Sequence, residues 1–239
     1  GKDPLQWKSF RFSGSPEVVK TYYAVEVALL DLAGKYEGCS ISELMGGRVR
    51  STIKLYGSAG MYMSPERYAE EAAAIQQMGF PAYKMRPGSG PENDLKTVEL
   101  MRQATGPEMG LLVDAHTGWR MGNKSSTGEM IHDLAKSMGK FNPYWLEEPL
   151  LPEEHQAYKD LRQKGFVKVA TGEHEQEYEG FEDLASLQAT DFLQMDVCCQ
   201  GGFEMGLKVF DLAAAHKMKF AFHSWGTMLE VLAAAQLGV

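Results

Sequence analysis

The 239-residue sequence is 44% hydrophobic and 23% charged, the balance of a folded globular chain and not of a disordered one. A formal net charge of −8 with no dense Lys/Arg run argues against a nucleic-acid or anionic-membrane surface, so an anionic partner has to be a small molecule met by a local cationic pocket. The three cysteines, Cys39, Cys198 and Cys199, have neither disulfide-framework nor zinc spacing. That usage fits a reducing, cytoplasmic setting. No apolar run approaches the roughly 20 residues of a membrane span, and the opening GKDPLQWKSF lacks the apolar stretch of a signal peptide.

In chain order, Ser15 as a cap, Pro16 at a first position and apolar residues at Val18, Tyr22, Val25, Leu29 and Leu32 predict a buried helix that stops at Gly34. A short helix follows over Ile41 to Met45, closed by Gly46 and Gly47. The rhythm changes near Arg50, which divides the chain into residues 1–50 and 51–239. Beyond it, seven apolar runs (IKLYGSA, PAYKMR, GLLVDAH, YWLEEP, VKVATGE, FLQMDV, KFAFHS) each precede an amphipathic helical segment, the last being TMLEVLAAAQLG. Such alternation gives an α/β fold with a parallel sheet, either doubly wound or closed into a barrel. Polar residues end five or more successive strands and no G-x-G-x-x-G follows the first, which favours a barrel. A full barrel has eight strands, so the expectation is one lacking its last strand.

The strand ends carry, in order, Lys84 and Arg86, Asp114 and His116, Glu147, Glu173, Asp196 and His223. Taken singly, each has a plain explanation as a helix cap, a packed histidine or a solvated charge. Together they converge, because parallel strands bring their carboxyl ends to one cavity. Asp114, Glu147 and Glu173 would repel one another without a cation among them, and an oxygen-only donor set of this size suits Mg²⁺. Strand alternation puts Glu147 on a face with Trp145, Glu148 on the other, and Asp114 on a face with His116.

These residues, WLEEPL, ATGE, QMDV followed by Gly-Gly, and ALLDLAGK with SELMGG, resemble the enolase superfamily, in particular its mandelate racemase subgroup, over nearly the whole chain. The resemblance implies a TIM-like (β/α)7β barrel, here without its last strand, preceded by the C-terminal helical part of an α+β capping domain. It also implies Asp114, Glu147 and Glu173 as Mg²⁺ ligands and Asp196 with His223 as an Asp-His dyad. The glutamate two before the proline is the family's ligand, which selects Glu147 over Glu148.

The chemistry implied is removal of the proton α to a carboxylate, with the enediolate stabilised on the metal and by Lys84. His223 is the expected base, its tautomer fixed by Asp196. Relatives that racemise keep a second lysine where this chain has Arg86, and a guanidinium cannot accept a proton near neutral pH. A one-base reaction is therefore expected, namely dehydration of a sugar acid (aldonate or aldarate) to a 2-keto-3-deoxy acid, with His116 or His174 protonating the departing hydroxyl. KMR and GEHE resemble rhamnonate-type dehydratases, DAH galactonate- and mannonate-type ones. Racemisation or epimerisation of a 2-hydroxy carboxylate is the alternative, and a non-catalytic barrel a third. Lys84, Arg86 and Trp225 are expected to contact the substrate, with Trp119 as a further pocket wall, and the subunits are expected to form a homo-oligomer.

Overall fold

The computed structural model describes residues 16–116 and 128–239; Ser15 and Trp119 lie outside them. Helix α1 (Pro16–Glu37) runs past Gly34 to a glycine of positive φ, Gly38. Gly34 is spent on packing instead. The chain folds back so that Cys39 N–H donates to the Gly34 carbonyl at 2.9 Å, and a Cβ on Gly34 would lie 2.6 Å from the Cys39 oxygen. Helix α2 (Ile41–Leu44) starts in a capping box, Ser40 accepting from Glu43 N–H while Glu43 accepts from Ser40 N–H.

The remaining elements alternate as the sequence predicts: β1 (Gly57–Met61), α3 (Pro65–Gln77), β2 (Ala82–Arg86), α4 (Pro91–Thr105), β3 (Gly110–Asp114), α5 (Gly128–Met138), β4 (Trp145–Glu147), α6 (His155–Lys164), β5 (Val169–Thr171), α7 (Tyr178–Ser186), β6 (Phe192–Met195), α8 (Gly202–Ala215), β7 (Lys219–Phe222) and α9 (Met228–Gly238). The strands form one sheet in the order β1 to β7, with parallel pairing from β1 through β6. Sequential order, parallel strands and a helix after each strand are the topology of a TIM-like barrel, of which seven strands are present among the described residues.

The first strand begins later than its apolar run: IKLY lies outside β1, which pairs from Gly57 with Tyr83 and has an irregularity before Met61. Gly60 accounts for it. Its φ is +65°, and a Cβ there would lie 2.6 Å from both Tyr68 and the Tyr83 hydroxyl, so only glycine lets α3 and β2 approach this closely.

The chain divides into two compact units. One comprises residues 1–53, 172–182 and 194–239, and its core joins Leu30, Ile41, Val197, Phe203 and Ala233. In it, the buried Glu26 carboxylate of α1 sits against the start of α8, where a Cβ on Gly202 would overlap it. A negative group there suits the positive end of the helix. The other unit comprises residues 54–171 and 183–193. Both faces of β2 to β5 are buried, with Tyr83, Met85, Leu111 and Val113 packed against helices. At the start of its strands lies a cavity of about 480 Å³ lined by Arg102, Gly110, Tyr144, Arg162, Lys168 and Asp191. Arg102 donates there to the carbonyls of Gly106, Met109, Phe141 and Asn142, and Arg162 to Asp191 and the Gln188 carbonyl, so both guanidinium groups act as backbone braces. No described helix is long and apolar enough to cross a membrane.

Candidate functional site

In the second unit, the end of β2 delivers Lys84 and Arg86 to the ends of β3 and β4. Parallel register sets Arg86 one residue beyond the Met85–Val113 pair, beside Asp114, and Asp114 directly opposite Glu147. The Lys84 ammonium donates to Glu147 Oε1 and lies 3.1 Å from Asp114 Oδ2, which the Arg86 Nε also meets at 3.1 Å. Trp145 Nε1 donates to the other Glu147 oxygen at 2.9 Å, so these two residues do share a face. All four charged side chains are at most 4% exposed. Burial drives Asp114 toward its neutral form, but Lys84 and Arg86 outweigh it and hold the carboxyl below the usual range. Tyr56, edge-on to Trp145, is pushed up to about 12 by burial, against the opposing pull of Lys84.

His116 does not follow strand alternation. Strand β3 ends at Asp114, and His116 takes a left-handed φ of +50° with its N–H donating to Asp114 Oδ1 at 2.9 Å. Its placement comes from a turn organised by Asp114, which a period-2 reading cannot foresee. Glu148, also fully buried, lies just past β4 with φ +42°, and Thr171 Oγ1 is 3.5 Å from its Oε1.

In the first unit, His223 follows β7 and its N–H donates to the Met195 carbonyl at 2.9 Å. Its Nδ1 lies 3.0 Å from Asp196 Oδ2 and its Nε2 3.1 Å from Glu173 Oε2. Asp196 is 2% exposed and its second oxygen accepts from Cys198 N–H at 2.8 Å, so the carboxylate is fixed from both sides. His174 Nδ1 is 3.7 Å from Glu173 Oε1, with the ring 43% exposed. Trp225 is 59% exposed.

Two residues here escape the sequence reading. Glu230, on the first turn of α9, packs against Gly226, and its carboxyl is raised by burial and by Asp196, with His223 opposing. Gln200 is 1% exposed and bonds both to Asp196 N–H and to the Gly172 and Glu175 carbonyls. A helical position gives Glu230 no signal, and Gln200 bonds Asp196 four residues away but joins it to carbonyls 25 to 28 residues away that the sequence does not mark.

Residues 67–239 match the family model described as enolase C-terminal domain-like. The chain belongs to this family. Among relatives of this enolase-type chain, D-galactarolactone cycloisomerase of Agrobacterium fabrum is 34% identical over 89% of the chain and 55% of the relative. L-talarate/galactarate dehydratase of Salmonella typhimurium is 27% identical over 92% and 54% respectively. The crystal structure of 3,6-anhydro-D-galactonate cycloisomerase from Zobellia galactanivorans superposes with a TM-score of 0.84 at 32% identity, covering 98% of the chain and 64% of that structure. The enolase-type chain thus spans about half the length of the curated relatives it matches.

Proposed function

We propose that the protein is a Mg²⁺-dependent dehydratase of a sugar acid, using His223 as the base that removes the proton α to the carboxylate. The observation that carries this reading is the pair of contacts on His223. Asp196, 3.0 Å from Nδ1, orients the ring so that Nε2, 3.1 Å from Glu173 Oε2, is the nitrogen presented on the side of the proposed metal ligand to take the substrate's proton.

Asp114, Glu147 and Glu173 would hold Mg²⁺. They fit it by donor chemistry, because all are carboxylates of the kind hard cations take; Asp114 and Glu147 are here paired with Lys84 and Arg86, which a bound ion would have to share them with. When bound, the ion acts as a Lewis acid toward the negative charge that develops on the substrate carboxylate. Lys84 and Arg86 add fixed positive charge for that carboxylate, and Arg86 cannot serve as a second base. His116 or His174 gives a proton to the departing β-oxygen. The C–H and C–O bonds break, a C=C bond forms, water leaves, and tautomerisation yields the 2-keto-3-deoxy acid. The exposed Trp225 serves as a substrate-contacting wall.

Cycloisomerisation is a second reading, favoured by the 34% identical relative of that name. It uses the same proton removal, with a ring oxygen as the leaving group and no water lost. Racemisation or epimerisation remains a further alternative, and a barrel without turnover the last. With either elimination we propose a division at residue 50 into a capping segment and a barrel, homo-oligomeric assembly, a cytoplasmic setting, and a small carboxylate as the partner.

The test is incubation of the purified protein with Mg²⁺ and a panel of mono- and diacid sugars and their lactones, read by mass spectrometry and by α-proton exchange in D₂O. A 2-keto acid lighter by one water supports dehydration. An isomeric 2-keto acid supports cycloisomerisation, exchange alone points to epimerisation, and metal binding with neither exchange nor product across the panel sinks all three.

A further inference from the structure

We propose that Gln200 is a positioning residue that fixes Glu173 with respect to the Asp196–His223 pair; this rests on the reading of Glu173 as a metal ligand. Gln200 lies in the turn between β6 and α8 and is 1% exposed. Its Oε1 accepts from the Asp196 N–H at 2.7 Å. Its Nε2 donates to the Gly172 carbonyl at 2.7 Å and to the Glu175 carbonyl. Those two carbonyls flank Glu173 and His174, and the same turn is closed by Glu175 N–H donating to Gly172 at 3.0 Å.

One planar amide therefore has its acceptor end on the residue that orients the histidine and its donor end on the turn that carries the carboxylate. Among side chains of this size, an ionised glutamate offers no donor for the two carbonyls, and methionine offers neither group. The turn has little freedom to rebuild itself. Gly172 has φ +129°, and a Cβ there would lie 2.4 Å from the Gln194 carbonyl oxygen, so the backbone of the turn is pressed directly on β6. Within this frame, Glu173 Oε2 stands 3.1 Å from His223 Nε2. Removing the amide takes one hydrogen bond from each of three backbone groups, the Asp196 N–H and the Gly172 and Glu175 carbonyls, and so loosens the link that sets the turn bearing Glu173 against Asp196.

A residue that only supported the fold would lower stability and leave metal affinity alone. Mn²⁺ affinity of the purified protein, followed by electron paramagnetic resonance, separates the two. Gln200→Met is expected to weaken Mn²⁺ binding by about 10- to 100-fold, the usual effect of losing a group that orients a ligand, with Gln200→Asn intermediate. Thr190→Val is the stability control: Thr190 is equally buried, its hydroxyl donates to the Val169 and Phe192 carbonyls, and its loss should lower the melting midpoint at unchanged affinity. Wild-type affinity in Gln200→Asn, or in a folded Gln200→Met, overturns the inference. Should Gln200→Met fail to fold, Gln200→Asn decides alone. Wild-type affinity in Glu173→Gln would instead overturn the metal reading itself, and the premise with it.

Discussion

Around Lys84, two buried carboxylates are matched by an ammonium and a guanidinium, whereas around His223 the carboxylates of Glu173, Asp196 and Glu230 act on one imidazole. The first cluster has its charge settled by residue type. The second sets a carboxylate on each ring nitrogen of one histidine, Glu173 at 3.1 Å and Asp196 at 3.0 Å. The contrast is between a cluster whose opposite charges cancel and one in which several carboxylates gather on a single imidazole.

The sharpest way to break this comparison is His223→Asn. It should reduce α-proton exchange by about 10²- to 10⁴-fold, the range for losing a general base, as read by deuterium incorporation in NMR spectra. Exchange at the wild-type rate would move the base elsewhere. Next in size is Lys84→Met, which leaves Asp114 and Glu147 short of a buried partner and should cost about 3–5 kcal/mol in urea unfolding. A loss below about 1 kcal/mol would mean that the first cluster does not depend on matched charge.

A smaller effect concerns pH. The folded-state pKa of Asp114 is lowered, so its ionisation favours the folded state above the unfolded pKa of about 4, and that contribution fades as pH falls through the folded value. In metal-free protein, Asp114→Asn should be the less stable form near neutrality and should draw level with wild type in acid, as measured by unfolding midpoints from pH 7 down to pH 2. The smallest effect has the opposite sign. Glu230 is raised, so ionising it opposes folding as pH rises from its unfolded value through its folded one. Glu230→Gln should raise the midpoint slightly at pH 7 and leave it unchanged at pH 4. A lowered midpoint at pH 7 would show that Glu230 supports the His223 cluster in its ionised form.

Much of the fold was legible because apolar runs of strand length alternate with segments of helical period, and such alternation admits few topologies. Boundaries were less so. IKLY reads as strand, yet pairing starts at Gly57, because the approach of Tyr68 and Tyr83 to Gly60 decides where β1 can lie. Gly34 reads as a helix stop, yet α1 continues, because that glycine makes room for the chain returning at Cys39.

The sequence by itself determined which strand ends carry charge, since each of Arg86, Asp114, Glu147 and Asp196 closes or follows a run whose ends can be read from its neighbours. Only the tertiary structure decided their partners. That Arg86 lies on Asp114, that His116 is held by a turn, and that Gln200 spans two loops depend on register and backbone direction, set by packing between residues far apart in the chain. A hydrogen bond to a distant carbonyl leaves no periodic trace, because the carbonyl belongs to every residue alike.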